Sequence, residues 1–359
     1  MNIVICWTQM SGYMAACWRE LAGLPGIRLH VLCYRDAEPS SVTAFDMSLL
    51  EGIEHTFLDD AQRHDGTLIS RLVTESQPDA VMIAGWVNHA YRKLAFDSKL
   101  AKARFLFAMD TPFRGDLRQR LARWKLGPSL NRMDWVVVSG EFTRTYARIL
   151  GVPESRIQKG VYAYDQRLFN ESLFEQRKRL PGGWPRRFLY MGRYAPEKAI
   201  DVLIDGYKRY RGLSENPWPL DCYGMGPSSA LLDRQAGVID HGFVQPADQP
   251  RIFINHGAFV LASRYEPWGV VVSEAMAAGL PVICSSACGA ATSLLHSQFN
   301  GIEVAADDPD SLAQAFLWMD RHHSELDVMG RQGMAVARAY SAEMWARRVS
   351  CMCANASTR

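Results

Sequence analysis

The chain has 359 residues, of which 48% are hydrophobic and 22% charged, as in globular proteins long enough to hold two cores. The formal net charge is only +2, which gives no reason to expect nucleic acid as a partner. No apolar stretch approaches the roughly 20 residues that span a bilayer, and the N-terminus lacks the basic start of a signal peptide. We therefore expect a cytoplasmic protein.

The cysteines and the paired aspartates give no sign of a metal site. The close cysteine pairs, at 284/288 and 351/353, have no second pair at zinc-like spacing. Several other cysteines lie in apolar runs, where this residue behaves as a small buried hydrophobe. The Asp-Asp pairs at 59–60 and 307–308 lack the context of a metal-binding loop. We expect no metal and a reducing compartment.

In the first half, short apolar runs alternate with helix-length amphipathic segments, which is typical of parallel α/β domains. Near-continuous apolar character indicates strands that are buried on both faces. The predicted strands are 3–6, 28–33, 80–84, 104–108 and 135–138. The predicted helices include 14–24, 67–76 and 142–150.

The second half repeats this alternation, which predicts a second parallel sheet. The predicted strands are 187–191, 220–223, 238–241, 258–261, 281–284 and 301–304. The predicted helices are 199–210, 228–235, 249–255, 271–278, 311–321 and 325–340, followed by a short one at 342–351.

The domain boundary is expected within residues 164–185, where a charged run precedes Pro-Gly-Gly-Trp-Pro, which cannot continue a helix. We therefore assign 1–170 to an N-terminal acceptor-side domain and 171–341 to a C-terminal nucleotide-binding domain. The last helix, within 342–359, is expected to pack back on the first domain. Open parallel sheets bind ligands at the carboxyl ends of their strands, so a ligand crevice is expected between the domains.

The most informative segment, 263–283, has the pattern of strand end, loop, helix, glycine stop and strand. Glu266 lies in the loop, and Gly269 permits a close backbone approach. The amides that follow point outward at a helix N-terminus, where phosphate binds readily. Glu274, inside the helix, can accept hydrogen bonds from the vicinal hydroxyls of a ribose. Two glutamates alone are equally compatible with a solvated helix face.

This segment resembles the Glu-x7-Glu signature of family 4 glycosyltransferases, and the Ala-Met-Ala-Ala-Gly-Leu-Pro-Val run that follows is close to the family consensus. The resemblance implies the GT-B fold, an α/β architecture of two Rossmann-like parallel-sheet domains facing across a cleft. It also implies that Glu274 binds the donor ribose and Glu266 the sugar hydroxyls. Trp268, Gly269 and Val270 would present backbone amides to the sugar and the diphosphate.

A second motif begins at Gly192, where a predicted strand ends, and places Arg193 and Lys198 five positions apart. Fixed positive charge suits a nucleotide diphosphate, because negative charge grows on the leaving phosphate as the glycosidic bond breaks. Alone, two such cations more often solvate a loop. The segment resembles the family's Gly-Arg-x4-Lys-Gly motif, which makes Arg193 and Lys198 candidate catalytic residues. Ala199 replaces the last glycine.

Weaker similarity covers three further positions. Val244 ends a His-Gly-Phe-Val run that resembles the segment whose backbone contacts the nucleotide base. Gly12 follows the first strand, like the family's glycine that faces the donor. Asp110 stands where many relatives carry His-Asp, with Met109 in the place of the histidine. Asp110 is therefore a candidate catalytic residue in the cleft, or else only a turn cap.

Basic and aromatic residues cluster at 86–93 and at 114–125. The spacing of the second group fits one basic helical face that carries Trp124. Such a face can contact anionic lipid headgroups or simply be solvated. Both alternatives stay open, and the first would place the protein peripherally at the inner face of the membrane.

The resulting hypothesis is a retaining, metal-independent glycosyltransferase that needs no cofactor. It would move a sugar from a nucleotide diphosphate sugar, with UDP-sugars favoured over GDP-sugars, to a hydroxyl of a glycan, lipid-linked or protein acceptor. Retention follows from the family resemblance. Two alternatives stay open, namely a nucleotide-sugar epimerase or hydrolase on the same fold and a non-catalytic descendant that only binds nucleotide or glycan.

Overall fold

The chain divides into two compact units in the computed structural model, which describes residues 1–34 and 47–355. Met1–Ala163 and Ala342–Arg359 form the first unit, and Tyr164–Ser341 forms the second. The boundary expected at residue 170 lies a few residues beyond this division. The last four residues of the predicted 342–359 segment lie outside the described residues.

Among the described residues, the first unit contains a seven-stranded parallel sheet with the order β3-β2-β1-β4-β5-β6-β7. The strands are β1 (Asn2–Cys6), β2 (Arg28–Tyr34), β3 (Glu54–Leu58), β4 (Ala80–Ala84), β5 (Arg104–Met109), β6 (Trp135–Val138) and β7 (Ile157–Lys159). All five predicted strands are present. The pattern missed the two edge strands, because β3 begins with two exposed polar residues and β7 has only three residues.

Helices cover both faces of this sheet. The α-helices before the division are α1 (Gly12–Ala22), α2 (Gly66–Glu75), α3 (His89–Lys93), α4 (Leu117–Leu130) and α5 (Glu141–Ile149). Successive residues of β1 alternate between two buried clusters, with Ile3 and Ile5 in one and Val4 and Cys6 in the other. This alternation explains why the strands are apolar at every position.

The second unit, whose residues are all described, contains a six-stranded parallel sheet with the order β10-β9-β8-β11-β12-β13. The strands are β8 (Phe188–Met191), β9 (Leu220–Tyr223), β10 (Val238–Asp240), β11 (Ala258–Leu261), β12 (Val282–Ser285) and β13 (Gly301–Val304). The helices are α6 (Glu171–Lys178), α7 (Ile200–Leu213), α8 (Gln249–Ile254), α9 (Val270–Ala277), α10 (Ala291–Leu294), α11 (Pro309–Arg321) and α12 (Leu326–Ala337). All six predicted strands form, so two Rossmann-like α/β units confirm the expected fold class.

The helix predicted over 228–235 is wrong. Only the short 3-10 turn Ser229–Leu231 forms there, and Arg234 has a positive φ of 55°. Leu232 is buried but Leu231 is 42% exposed. A helix over this segment would therefore have almost no apolar face to bury, and tertiary packing outside the segment decides its conformation.

The charged run expected at the boundary lies mostly within α6. One of its cations is a structural residue. Arg177 is fully buried, and burial lowers its pKa to about 9. Its guanidinium donates to the carbonyl oxygens of Ala278 at 2.9 Å and Gly279 at 3.0 Å, and to that of Phe253 at 2.8 Å. Arg177 thus satisfies the terminal carbonyls of α8 and α9.

The final helix, α13 (Ala342–Ala354), belongs to the first unit. Its Trp345 is fully buried and donates from Nε1 to the carbonyl oxygen of Val161 at 2.9 Å. Within the described ranges, no helix is both long and apolar enough to cross a bilayer.

Candidate active site

The strand order of the second unit changes direction at β8. From β8 the chain proceeds outward to β9 and β10, then returns to place β11 on the other side of β8. In an open parallel sheet, a crevice forms at the carboxyl ends of the strands at such a point. The loops that leave β8 and β11 here contain residues 192–198 and 262–269. These are the loops that carry the two predicted motifs.

The backbone of the first loop is held against its neighbours. The Gly192 N–H donates to the carbonyl oxygen of Tyr223 at 3.0 Å. A side chain at Gly224 would collide with the Gly192 carbonyl oxygen, so the close approach of the two segments requires glycine. The Tyr190 hydroxyl donates to the carbonyl oxygen of Arg193 at 3.0 Å. These contacts fix the position from which the Arg193 side chain extends.

The two candidate cations differ in their surroundings. Arg193 is 63% exposed and pairs with Glu197 at 2.7 Å. Lys198 forms an ion pair with Glu266, and these side chains are only 15% and 12% exposed. The structure therefore brings together one catalytic candidate from each motif, although 68 positions separate them in the chain.

Backbone hydrogen bonds fix the second loop to the segment that follows β12. The Glu266 N–H donates to the carbonyl oxygen of Ala287 at 3.3 Å, and the Gly289 N–H donates to that of Glu266 at 2.9 Å. The Ala290 N–H donates to the carbonyl oxygen of Trp268 at 2.7 Å. The loop that carries Glu266 is therefore held in place by backbone contacts on both sides of that residue.

The predicted amide donors stand at the start of α9. The Trp268 ring is buried 5.2 Å from the ring of Tyr340, so this residue can reach a ligand only through its backbone. Gly269 has φ of +91°, and a Cβ there would lie 2.8 Å from Cys288 Sγ. Within the part of the chain that the structure describes, the N–H groups of Trp268, Gly269 and Val270 make no protein hydrogen bond. They can donate to an anion.

Glu274 lies just over one turn into α9 and is half-buried. Burial raises the pKa of its carboxyl to about 8, and the charge of Asp165 adds to the shift. An unperturbed Glu titrates near 4.3. In the unliganded protein at neutral pH the Glu274 carboxyl therefore retains its proton, and a ligand that needs the carboxylate must displace it.

The segment that was expected to contact a base lies beside the first motif. Asp240 Oδ1 accepts hydrogen bonds from the Gly242 N–H at 3.0 Å and the Tyr194 hydroxyl at 2.8 Å. The Gly224 N–H donates to the carbonyl oxygen of Gly242 at 2.9 Å. Val244 follows two residues later and is half-buried. The turn before Val244 is thus fixed next to the loop of Gly192.

The other two candidates, Gly12 and Asp110, belong to the first unit and are connected through two tyrosines. Gly12 opens α1, and the ring of the next residue, Tyr13, lies 5.5 Å from that of Tyr162. The Tyr162 hydroxyl donates to Asp110 Oδ2 at 2.8 Å. This contact turns the Asp110 carboxylate toward Tyr162, and both alternatives for Asp110, a catalytic residue or a turn cap, stay open.

Sequence reasoning missed a polar cluster in a cavity of about 640 Å³ on the second unit. Asp221, buried in the middle of β9, accepts from His241 at 2.7 Å, from His256 at 3.1 Å and from Arg187 through two nitrogens. Burial alone would raise the pKa of Asp221, but these hydrogen bonds outweigh it and hold the pKa well below its usual range. The sequence feature that could have indicated this cluster is an aspartate inside an otherwise apolar strand.

Replacing Asp221 with asparagine should lower the free energy of unfolding by about 1–2 kcal/mol at pH 7, because Arg187 and His256 lose their shared carboxylate. Since the folded-state pKa is depressed, this stabilisation is present above about pH 4 and is lost as the pH falls. Urea titrations should show a smaller difference in the free energy of unfolding between wild type and variant at pH 3 than at pH 7. Asp205→Asn, which removes an ion pair 50% exposed at the aspartate, should change stability far less. If both substitutions lowered the free energy of unfolding equally at pH 7, the prediction would be wrong.

Part of this chain is similar in sequence to known glycosyltransferases. Residues 185–321 match the family model for glycosyl transferases group 1. An uncharacterized glycosyltransferase of Methanocaldococcus jannaschii is 33% identical over 36% of this chain and 34% of its own length. O-antigen chain mannosyltransferase B of Escherichia coli is 26% identical over 63% of this chain and 62% of its own length. The matched part of the chain thus spans 34% and 62% of the length of these two relatives.

Solved structures extend the likeness in fold to the full chain. HepE of Anabaena in complex with UDP has a TM-score of 0.76 at 17% identity, covering 99% of this chain and 100% of that chain. Sucrose-phosphate synthase from Thermosynechococcus elongatus has a TM-score of 0.72 at 16% identity, covering 97% and 98% of the two chains. Residues 185–321 are therefore similar to a glycosyl transferases group 1 domain, in a chain whose two units have the GT-B fold.

Proposed function

We propose that the protein is a retaining glycosyltransferase that moves a sugar from a nucleotide diphosphate sugar to an acceptor hydroxyl. The observation that carries the proposal is the pairing of Lys198 with Glu266 at the β8–β11 crevice, beside free amides at the start of α9. The group 1 domain covers both motifs. UDP in the HepE complex favours a UDP-sugar as donor, with a GDP-sugar as the second choice.

The proposed transfer requires positive charge near the leaving group. As the bond between the anomeric carbon and the phosphate oxygen breaks, negative charge grows on the diphosphate. Lys198, Arg193 and the amides of Trp268, Gly269 and Val270 would stabilise that charge. With Lys198 on the phosphate, Glu266 is left to accept hydrogen bonds from the sugar hydroxyls. Because these groups already supply fixed positive charge, we propose that the transfer needs no metal ion.

A panel of UDP-, GDP- and ADP-sugars in a thermal-shift assay tests the donor, because a bound ligand stabilises by RT ln(1 + [L]/Kd). We expect a UDP-sugar to raise Tm most. Product analysis by NMR then tests retention, for which the anomeric configuration of donor and product must agree. Release of free sugar in the presence of every acceptor offered would favour the hydrolase alternative. Binding without any turnover would favour the non-catalytic one.

Acceptor recognition is assigned to the first unit, through Asp110 and the tyrosines beside it. We expect Asp110→Asn to raise the acceptor KM or lower kcat by about tenfold, because the substitution keeps the size of the side chain and removes its charge. Donor affinity should stay within twofold of wild type, as measured by calorimetry with the free nucleotide. Asp60→Asn, at a 62% exposed aspartate of the same unit, is the control. If Asp110→Asn abolished donor binding and left the acceptor KM normal, the assignment of acceptor recognition to the first unit would be wrong.

A further inference from the structure

Helix α4 of the first unit presents an apolar stripe to solvent. Leu117 is 75% exposed, Leu121 65% and Trp124 82%. Their spacing of four and three residues places them on one face of an α-helix. Large side chains exposed in a contiguous row mark an interaction surface more often than scattered ones do.

Cations flank this stripe on both sides. At 100° per residue, Arg118 and Lys125 fall on one flank of the stripe, and Arg120 and Arg123 fall on the other. Helix α4 contains no acidic residue. The surface therefore combines an apolar centre with two basic edges.

The opposite face of α4 is anchored in the unit. Leu126 and Leu130 are buried in the same core cluster as Phe107 of β5. The N-terminus is capped, because the Asp116 side chain accepts from the Gln119 N–H at 2.6 Å. The packed face leaves the stripe no freedom to turn inward, so its exposure is a property of the fold.

We propose that α4 docks the protein on an anionic lipid bilayer, with Leu117, Leu121 and Trp124 in the interfacial layer and the flanking cations on the headgroups. An apolar face with basic flanks suits this partner on two counts, since acyl chains receive the stripe and anionic headgroups attract the cations. A second copy of the chain fits worse, because two such faces would bring eight cations together.

The position of α4 connects this surface with the proposed acceptor side. The chain runs from β5 through Asp110 into α4 within seven residues. If the proposed transfer is correct, a lipid-linked acceptor is the class that this arrangement favours. Membrane docking itself does not rest on the transfer reaction.

Co-sedimentation of the full chain with vesicles tests the proposal. We expect binding to vesicles of equal parts phosphatidylglycerol and phosphatidylcholine, and at least tenfold weaker binding to phosphatidylcholine alone. The triple variant Leu117→Ser/Leu121→Ser/Trp124→Ser should bind the anionic vesicles at least tenfold more weakly. Its matched control, Leu213→Ser/Val328→Ser, changes side chains of the second unit that are 50% and 55% exposed and should bind like wild type.

A second pair of variants distinguishes attraction by the basic edges from an effect of the protein's net charge. Arg118→Glu/Lys125→Glu should lose most binding to anionic vesicles, whereas Lys102→Glu/Lys208→Glu, with the same change in net charge, should keep it. Equal loss in both, or no binding of wild type to anionic vesicles, would overturn the proposal. So would lipid-free self-association that the triple variant abolishes, because the stripe would then be a protein interface. Thermal shifts with nucleotide should be unchanged in all variants, which keeps this test distinct from that of the transfer reaction.

Discussion

Replacing Lys198 with alanine is expected to lower kcat by about 10²-fold, because a preorganised cation is removed from the position where charge develops on the leaving diphosphate. Lys198 is only 15% exposed and is held by Glu266, so its ammonium group is positioned before any substrate arrives. The donor KM should change less than kcat, since this interaction strengthens as the glycosidic bond breaks. Single-turnover kinetics with the best donor from the panel measures the effect.

The fold of this variant needs its own control, because the substitution leaves the Glu266 carboxylate without its cation in a nearly buried place. The double variant Lys198→Ala/Glu266→Gln removes that stranded charge and should recover most of the lost Tm. Tm is the readout for this double variant, because Glu266 is itself a proposed sugar-binding residue and its replacement also affects kcat. Lys178→Ala, which removes an ion pair to Asp327 at 3.4 Å elsewhere in the second unit, should keep normal kcat. Near-normal turnover in a folded Lys198→Ala variant would mean that the phosphate is held by other groups.

Local patterns were sufficient for the central part of both sheets. A strand buried on both faces, such as Ala80–Ala84 or Ala258–Leu261, is apolar at every position, and its ends were predicted without error. Exposed residues interrupt the apolar pattern in β3 and β7, so these two edge strands gave no such run. Arg177 shows the converse problem. Its charge indicated an exposed boundary, but carbonyl groups about 76 to 102 positions away in the chain accept its hydrogen bonds.

The candidate site was predicted from the resemblance of two motifs to a known family rather than from geometry. The spacing put Glu266 in a loop and Glu274 inside a helix, and the structure places them so. It could not show that Lys198 pairs with Glu266, because that contact depends on which strands are neighbours. Nor could it show the cluster around Asp221, whose partners come from three separate segments. Long-range contacts of this kind are set by topology, which local propensity does not contain.

Glu274→Ala is expected to weaken binding of the free nucleotide diphosphate by about 10- to 100-fold, because a ribose loses a charged hydrogen-bond acceptor worth about 1.5–3 kcal/mol. Calorimetry with the unliganded protein measures this loss. Glu325→Gln, at an exposed glutamate of the same unit, should leave the affinity unchanged. Wild-type affinity in a folded Glu274→Ala variant would contradict the ribose assignment.

The raised pKa of Glu274 adds a pH dependence whose sign can be worked out. The folded-state pKa, about 8, lies above the ordinary value, so the proton bound at Glu274 stabilises the fold at low pH and its contribution falls as the pH rises toward 8. Nucleotide binding should show the opposite trend. A ribose that needs the carboxylate displaces this proton, so affinity should rise by up to about tenfold per unit between pH 7 and 8 and level off above that.

Proton release distinguishes this account from a general effect of pH on the protein. Calorimetry at pH 7 in two buffers of different ionisation enthalpy should show close to one proton released per nucleotide bound by wild type. The terminal phosphate titrates near pH 6, so it contributes little in this range. Glu274→Gln, which cannot ionise, should release no proton and bind with an affinity nearly independent of pH from 7 to 9. Equal release by both proteins would place the titrating group elsewhere and would mean that Glu274 keeps its proton when the nucleotide binds.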